Sequence, residues 1–424
     1  MPTDTLNREL GVGAAVLLGL GSIVGTGVFV GTGLAAEAAG PAVVVAIALA
    51  GLLATFNGLS SAQLAASHPT SGGTYEYGYR YLSPALGFTA GWMFLAAKSA
   101  SAAAAALGFA GYLNRLTGIG DGGPVVAVTT VLVVTGLVTL GVRRSALANA
   151  VIVAVTLFGL GWFTIAGAME FDLDNFSPFM SGGAAGVLEA TALMFVAYTG
   201  YGRIATLGEE VRDPSRTIPR AIIIALIATV LLYGAVTTVG VGAAGADSLA
   251  DATGGTAAPL EVVARGFGAP GSARIVGVAA ITAMLAVLLN LVLGLSRVAL
   301  AMGRRRDLPG AVARIDSTGR TPIVAVPLVG VIIALLAGFG TVRSTWAFSA
   351  FTVLVYYAIT NLAAIRLPAE SRRYPVAVPW LGLGGCLGLA FWVDTVAWMA
   401  GLAVIVIGLV WHAVARRLSK NPRS

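Results

Sequence analysis

Hydrophobic residues along the chain form long, nearly uninterrupted runs separated by short polar stretches. Twelve of these runs approach or exceed the roughly 20 residues that an α-helix needs to cross a bilayer. They cover residues 11–34, 41–66, 84–113, 124–141, 148–168, 185–207, 218–243, 272–302, 322–340, 345–366, 378–393 and 396–415. The pattern predicts an all-α polytopic membrane protein, with twelve transmembrane helices forming one domain over residues 1–424. Between two runs, residues 260–265 are expected to form a short surface helix.

The composition fits a membrane protein and excludes several kinds of site. Charged residues make up 11% of the chain, whereas soluble domains carry about 25%. One cysteine and two histidines leave little for a disulfide framework or a metal site. We therefore expect no metal and no cofactor. The glycine-rich stretches lack the Gly-Lys-Ser/Thr of a phosphate-binding loop, and no nucleophile lies in a pattern with a base, so an enzyme is not expected.

The distribution of basic residues predicts an orientation in the membrane. With the N-terminus placed in the cytoplasm, the loops and tails on that side hold nineteen lysines and arginines. The opposite loops hold four, namely Arg115, Arg265, Arg274 and Arg343. Cytoplasmic loops are normally enriched in Lys and Arg, so both termini are predicted to be cytoplasmic, in a protein of the cytoplasmic membrane. This topology accounts for the net charge of +7, so we expect lipid and not nucleic acid as the surrounding partner.

The first apolar run contains four glycines within nine residues, Gly19, Gly21, Gly25 and Gly27. Each glycine costs about 1 kcal/mol of helix propensity relative to alanine, and unsatisfied backbone groups are most costly at the middle of the bilayer. One interpretation is close helix packing, because Gly21 and Gly25 have the spacing of a small-residue contact motif. The other is an interrupted helix whose free N–H and C=O groups bind a solute.

The sixth apolar run is also interrupted, by Gly200 and Gly202. Paired glycine-interrupted segments at matching places in two halves of a chain indicate an inverted-repeat transporter. Residues 11–168 would form the first repeat of five helices and residues 185–366 the second, with helices 1 and 6 broken. Helices 11 and 12, within residues 378–415, fall outside the repeat. The second segment therefore favours the interrupted-helix interpretation of the first.

Several motifs in this order resemble those of the amino acid–polyamine–organocation superfamily. The motifs are Gly21-Ser22-Ile23-Val24-Gly25-Thr26-Gly27-Val28-Phe29, Pro69-Thr70-Ser71-Gly72-Gly73-Thr74-Tyr75-Glu76-Tyr77, Phe195-Val196-Ala197-Tyr198-Thr199-Gly200-Tyr201, Glu209-Glu210-Val211-Arg212-Asp213-Pro214, Thr217-Ile218-Pro219-Arg220 and Ser296-Arg297 with Ala301-Met302-Gly303 and Leu308-Pro309. The resemblance covers about residues 8–380. Within the superfamily, the chain is most similar to bacterial and archaeal amino acid permeases related to cationic amino acid transporters.

The resemblance implies a five-plus-five inverted-repeat fold, alternating access and a central site for an amino acid. It places the substrate carboxylate on Gly25, Thr26 and Gly27, in agreement with the anion affinity of a helix N-terminus. It places the ammonium near backbone carbonyls of the remaining site residues, which are Ser22, Ile23, Val196, Ala197 and Thr199. The resemblance also implies that Tyr198 and Tyr201 gate or line the pocket.

Two features depart from the family pattern and concern coupling. Many relatives have an acidic residue two positions after the sixth-helix glycine, where this chain has Gly202. Proton-coupled relatives often carry a lysine in the fifth helix, and residues 149–156 contain none. The roles of those two side chains therefore cannot be transferred to this protein.

Two cationic residues inside the predicted spans have candidate roles. Lys98 is the only lysine in any span and lies near its middle. An ionisable group at that depth indicates function, and because burial disfavours a charged amine, Lys98 could carry the coupling proton. Alternatively it faces a watery cavity or binds carbonyls and has no coupling role. Arg203 could form a gate with Glu209 or Glu210, or simply reach the cytoplasmic interface.

Together these observations predict a secondary active amino acid transporter, expected to work by proton-coupled symport. The alternative is an amino acid or polyamine exchanger, and a nutrient sensor or a channel is a weaker possibility. Because the predicted pocket holds no acidic residue, neutral amino acids are favoured over arginine and lysine. Helices 3, 8 and 10 are expected to supply the walls of the pocket.

Overall fold

The computed structural model describes residues 10–68, 72–118, 123–141, 146–207, 210–316 and 321–420. Within these ranges the chain is almost entirely helical, and the only β pairing is an isolated bridge between Leu10 and Val211. The α-helices of these ranges are α1 (Val12–Ile23), α2 (Thr32–Ala39), α3 (Val43–Ser67), α4 (Thr74–Tyr81), α5 (Pro84–Thr117), α6 (Gly123–Thr139), α7 (Ala146–Gly167), α8 (Gly183–Tyr198), α9 (Gly202–Ala205), α10 (Pro214–Ala244), α11 (Ala246–Thr256), α12 (Pro259–Arg265), α13 (Ser272–Arg304), α14 (Ala325–Phe339), α15 (Val342–Ile365), α16 (Ala377–Ala390) and α17 (Thr395–Lys420).

The lengths and apolar compositions of these helices make the chain a polytopic membrane protein. Eight helical stretches of the described chain are long and apolar enough to cross a bilayer. They are Gly27–Ser67, Pro84–Thr117, Leu147–Glu170, Gly183–Ala205, Pro214–Ala244, Ser272–Arg304, Val342–Ile365 and Thr395–Arg417. Shorter apolar helices of 10–17 residues are α1, α6, α14 and α16. The prediction of an all-α membrane protein is confirmed.

Helix α5 lies at the centre of the molecule, packed between α13 and α15. Its small residues from Ser99 to Ala106 are all buried. Small side chains allow neighbouring helix backbones to approach closely. A Cβ atom at Gly108 of α5 would lie 2.7 Å from the Met284 sulfur of α13. A larger residue at Gly108 would therefore clash with α13.

The first interruption lies between α1 and a π-helical turn at Gly27–Gly31 that continues into α2. Val24 has extended backbone angles, with φ −80° and ψ 106°, so the helix cannot continue through it. Helical hydrogen bonding resumes at Gly25, whose carbonyl accepts the N–H groups of Val28 and Phe29 at 3.1 and 3.2 Å. The chain is thus broken into two half-helices.

The second interruption, after α8, has a different form. Thr199–Tyr201 form a 3-10 turn that leads directly into the four-residue α9. Thr199 has φ −68° and ψ −3°, and no residue between Tyr198 and Gly202 is extended. The predicted break of the sixth helix is therefore a local tightening, which changes the hydrogen-bond pattern without unwinding the backbone.

The two interrupted segments pack backbone against backbone. A Cβ atom at Gly200 would lie 2.2 Å from the carbonyl oxygen of Ser22. A Cβ atom at Gly27 would lie 2.4 Å from the Cβ atom and 2.7 Å from the Cα atom of Ala197. Glycine is required at both positions because any side chain would force the segments apart. This contact places the free backbone groups of both segments beside one another.

One expectation about a connecting segment is wrong. Residues 260–265 do form a helix, α12, but it is buried and does not lie on the surface. Glu261 of α12 has no exposed side-chain surface, and its carboxylate pairs with Arg115 at 2.8 Å and with Arg265. Two arginines neutralise the carboxylate, which allows this polar helix to pack inside the fold.

Candidate functional site

A cavity of about 510 Å³ lies where α1, α5, α8, α13 and α15 meet. It adjoins both helix interruptions. Nine of the residues singled out from the sequence line it, namely Ser22, Ile23, Thr26, Gly27, Lys98, Val196, Ala197, Thr199 and Arg203. Its size suits a small organic solute, since pockets for such molecules are commonly about 300–1,000 Å³.

Unused hydrogen-bond donors lie at the break after α1, where Thr26 and Gly27 line the cavity. In the described part of the chain, the backbone N–H groups of Gly25, Thr26 and Gly27 donate no hydrogen bond. The Thr26 hydroxyl is buried and also has no partner among these residues. All four donors lie at the start of the half-helix that runs through the π-helical turn into α2. A helix start with free N–H groups attracts an anion, so this wall suits a carboxylate.

Unused acceptors lie at the end of α1, on the other side of the break. The carbonyls of Gly21 and Ser22 receive no hydrogen bond within the described ranges. The next carbonyl, of Ile23, accepts the hydroxyl of Tyr233 at 2.9 Å, and the same hydroxyl reaches the Ala197 carbonyl at 3.4 Å. Tyr233 therefore ties the ends of α1 and α8 together. Free carbonyls at a helix C-terminus favour a cation.

Lys98 reaches the second interruption from α5. Its ammonium donates to the Thr199 hydroxyl at 2.8 Å, and that hydroxyl donates to the Val196 carbonyl at 2.8 Å. The Thr199 carbonyl accepts the Tyr357 hydroxyl at 3.3 Å. Lys98 is partly exposed, and its exposed part faces the cavity. Lys98 thus lies in the cavity wall, and one hydrogen bond, to Thr199, positions its ammonium among the described residues.

Three of the residues singled out do not line the cavity in this conformation. Gly25 packs toward Val287 of α13, which lies 2.6 Å from the position of a Cβ atom. Tyr198 is fully buried and donates its hydroxyl to the carbonyl of Ile47 at 3.2 Å. Tyr201 is also fully buried, and its hydroxyl has no partner among the described residues. Both tyrosines stand in a layer behind the wall.

Arg203 lies at the open end of the cavity, with its side chain exposed. Arg297, Arg304 and Glu210 line the cavity at the same end. The suggested partner Glu209 lies outside the described residues, and no described carboxylate forms an ion pair with Arg203. The mouth is therefore positively charged overall.

A polar cluster at the open end joins α4 to the segment after α13. The buried carboxylate of Asp307 accepts the hydroxyls of Tyr75 at 2.6 Å and of Tyr79 at 2.7 Å. Burial first, and then this hydrogen bond, raises the pKa of both hydroxyls above their ordinary value. The two tyrosines therefore remain neutral donors, which keep the wall of the mouth in place.

The opposite end of the cavity is closed by a tryptophan and by surface ion pairs. The Trp346 indole donates to the Leu193 carbonyl at 3.0 Å, connecting α15 with α8. Farther out, Arg343 pairs with Glu37 and lies 3.8 Å from Glu189. One arginine of α15 thus connects α2 and α8. Among the described residues, these contacts cover the end of the cavity opposite the exposed Arg203 side chain.

Several lining residues were not predicted from the sequence. Asn290 and Gly294 of α13 and Trp346, Tyr356 and Tyr357 of α15 all line the cavity. Helices 8 and 10 were predicted as walls of the pocket, but none of their residues was predicted to line it. Both helices are largely apolar around their circumference, so periodicity does not show which face borders the cavity. One residue does give a signal in the sequence: Asn290 is a polar residue within a long apolar run, which marks the face of α13 that borders the cavity.

Comparison with known proteins gives a consistent result. A family model described as amino acid permease matches residues 14–421. An uncharacterized transporter of Mycobacterium tuberculosis is 40% identical over 422 residues, covering 99% of this chain and 94% of the relative. The branched-chain amino acid permease BcaP of Bacillus subtilis is 29% identical, with 98% and 95% coverage. The methylthioribose transporter of Bacillus subtilis is 30% identical, with the same coverage.

Proposed function

Since the chain belongs to the amino acid permease family, we propose that it is a secondary active amino acid transporter of the cytoplasmic membrane that works by alternating access. The observation that carries the proposal is the cavity between two interrupted helices, lined by backbone groups with no internal partner. Free N–H groups on one side and free carbonyls on the other complement a zwitterion.

The proposed binding mode assigns one pole of the amino acid to each side of the break. The carboxylate would bind the N–H groups of Gly25, Thr26 and Gly27 together with the Thr26 hydroxyl. The ammonium would bind the carbonyls of Ser22 and Ile23, and the α8 backbone would complete its shell through the carbonyls of Val196, Ala197 and Thr199. Because these contacts use the main chain, they suit any α-amino acid.

We propose that the twelve apolar runs are twelve transmembrane helices. Residues 11–168 and 185–366 would be oppositely oriented repeats, and residues 378–415 would add two helices. With both termini cytoplasmic, the open end of the cavity would face the cytoplasm, and the structure would correspond to an inward-open state. In this state Arg203 is free to pair with Glu210 on closure, and Tyr198 and Tyr201 would enter a gate only in another conformation.

The proposed coupling mode is proton symport, with Lys98 as the group that carries the proton. Its support is the position of Lys98 in the cavity wall, hydrogen-bonded to Thr199 beside the second interruption. We expect Lys98→Ala to abolish the acceleration of uptake by an inward proton gradient. A Lys98→Ala variant that transports with unchanged pH dependence contradicts this role.

Amino acid exchange is a second candidate function. It is favoured by residues 149–156, which lack the lysine that proton-coupled relatives often carry. An exchanger needs no coupling ion, so uptake would require amino acid inside the vesicles and no gradient. Polyamines fit this site less well than amino acids, because the charged lining is mainly cationic.

Uptake of a labelled amino acid panel into proteoliposomes tests the proposal. The expected result is saturable uptake of at least one amino acid, driven by a proton gradient in empty vesicles. Uptake only into preloaded vesicles supports exchange, and a requirement for sodium overturns proton coupling. The absence of saturable uptake and of binding for every amino acid contradicts the proposed function as a whole.

A further inference from the structure

We infer that the preferred substrate is an acidic amino acid, whose side-chain carboxylate binds the ammonium of Lys98. This inference rests on the proposed function and adds the chemical class of the substrate. The charges of the cavity lead to it. The arginines of the lining are exposed at the mouth, whereas Lys98 is only partly exposed and has no anionic partner among the described residues.

Lys98 is a cation with unused hydrogen-bonding capacity. An ammonium has three N–H donors, and the only hydrogen bond of Lys98 in the described chain goes to the neutral Thr199 hydroxyl. No described carboxylate forms an ion pair with it. A charge removed from bulk water is costly unless it is paired. An anionic group of the substrate would supply that pair.

The α-carboxylate of the substrate does not fill this role in the proposed binding mode. The N–H groups of Gly25, Thr26 and Gly27 serve it from the start of the second half-helix. Lys98 contacts the other interrupted segment, at Thr199. A substrate that uses both sites therefore needs two carboxylates. Aspartate and glutamate are the common amino acids that have them.

Other polar groups of the cavity lining fit the same substrate. Asn290 lines the cavity, and its side-chain amide makes no hydrogen bond in the described part of the chain. The Ser101 hydroxyl, one turn from Lys98 on α5, also borders the cavity and shares a hydrogen bond of 2.7 Å with Ser349. An amide N–H₂ and a hydroxyl can both donate to a carboxylate.

The remaining charges of the lining act in the same direction. Arg203, Arg297 and Arg304 stand at the mouth, with Glu210 as the only described carboxylate of the lining. A cleft dominated by one sign of charge concentrates ligands of the opposite sign. The cavity therefore repels lysine and arginine and attracts anionic amino acids. A neutral side chain would leave Lys98 without a pair.

Paired substrates of nearly equal shape isolate the charge. The experiment measures equilibrium binding of glutamate against glutamine, and of aspartate against asparagine, to the purified full-length protein, with leucine and lysine added to the panel. We expect the acid of each pair to bind on the order of 100-fold more tightly than its amide, the size expected for a buried charge pair. Equal or tighter binding of the amides, or of leucine, overturns the inference.

Substitutions then test whether Lys98 is the residue that discriminates. Lys98→Met should bring the ratio of acid to amide affinity close to one while retaining binding of the amide, and Lys98→Arg should keep most of the preference. Arg274→Met is a matched control, because it removes one exposed arginine outside the cavity lining. A Lys98→Met variant weakened equally for all amino acids shows that Lys98 binds the common α-carboxylate, which contradicts the inference.

Binding and uptake together distinguish an error in the proposed function from an error in the substrate class. If no amino acid binds or is taken up, the proposed function itself is wrong. If neutral amino acids are transported and acidic ones are not, the function stands and the substrate class is wrong. If Lys98→Met does not fold, the wild-type comparison of acid with amide still decides the substrate class.

Discussion

Replacing Gly200 by alanine tests whether the contact between the two interrupted helices sets the geometry of the site. A methyl group at this position would lie 2.2 Å from the Ser22 carbonyl oxygen, 2.5 Å from the Ser22 carbonyl carbon and 2.6 Å from the Ile23 nitrogen. All three are backbone atoms, so no side-chain rotation can relieve the contact. The 3-10 turn and the end of α1 must therefore separate by about 1 Å to restore van der Waals distance.

The magnitude follows from the cost of overpacking. Inserting a methyl group into a tightly packed interior typically costs about 1–3 kcal/mol. Here the displaced atoms include the proposed ligands of the substrate ammonium, so the strain acts directly on the bound state. With tenfold in affinity for each 1.4 kcal/mol, we expect Gly200→Ala to weaken amino acid binding by roughly 5- to 150-fold. Gly27→Ala should behave similarly, because its methyl group would lie 2.4 Å from the Ala197 Cβ.

The assay is equilibrium binding of the transported amino acid, followed by initial uptake rates in proteoliposomes. Gly234→Ala is the matched control, because no atom lies within 4 Å of the Cβ position and the residue lies in α10. This control should bind as the wild type does. Size-exclusion elution and the melting temperature in detergent establish that each variant is folded. A folded Gly200→Ala protein that binds within twofold of the wild type refutes the reasoning.

Two further predictions concern residues around the site. Tyr112→Phe removes a buried hydroxyl that donates to the Phe29 carbonyl at 2.7 Å and accepts the Leu260 N–H at 3.2 Å. Leaving both backbone groups unpaired should cost about 1–3 kcal/mol of stability, measured as a lower melting temperature. An unchanged melting temperature contradicts this role of Tyr112. Arg343→Gln breaks the link to Glu37 and Glu189. Because exposed pairs contribute at most about 1 kcal/mol, we expect a measurable but less than tenfold shift toward molecules that are open at this end, detected as longer spin-label distances between α2 and α15. An identical distance distribution argues against a role of Arg343 in closing this end.

The helices could be predicted from the sequence because a bilayer imposes one rule on every segment. Backbone groups in hydrocarbon must be satisfied within the segment, so each apolar run is helical. The same rule makes Gly21 to Gly27 conspicuous, since glycine weakens a helix where weakening is most costly. Lys98 was found for a similar reason, as the only lysine in any predicted span. Violations of a strict rule are easy to recognise in a single sequence.

Features set by tertiary contacts were missed or described incorrectly. Helix α12 was expected on the surface, and the ion pair of Glu261 with the distant Arg115, which accompanies its burial, leaves no local pattern in the sequence. The cavity wall formed by Trp346 was missed because α15 is apolar on several faces. The sixth helix was expected to be broken, whereas Thr199–Tyr201 form a 3-10 turn that leads directly into α9, and the Thr199 hydroxyl donates a hydrogen bond to the Val196 carbonyl.

The close approach of Gly200 to Ser22 also bears on how such a protein can evolve. The proposed contacts to the α-carboxylate and α-ammonium come mostly from main-chain atoms, whose chemistry no point mutation alters. The residues that would meet the substrate side chain are side chains on other helices, including Lys98 on α5 and Asn290 on α13. Substitutions there can exchange one amino acid preference for another while the common anchor is inherited unchanged. The preference for a side chain and the ability to bind an amino acid at all would thus be encoded in separate parts of the sequence, so that either can change in evolution without the other.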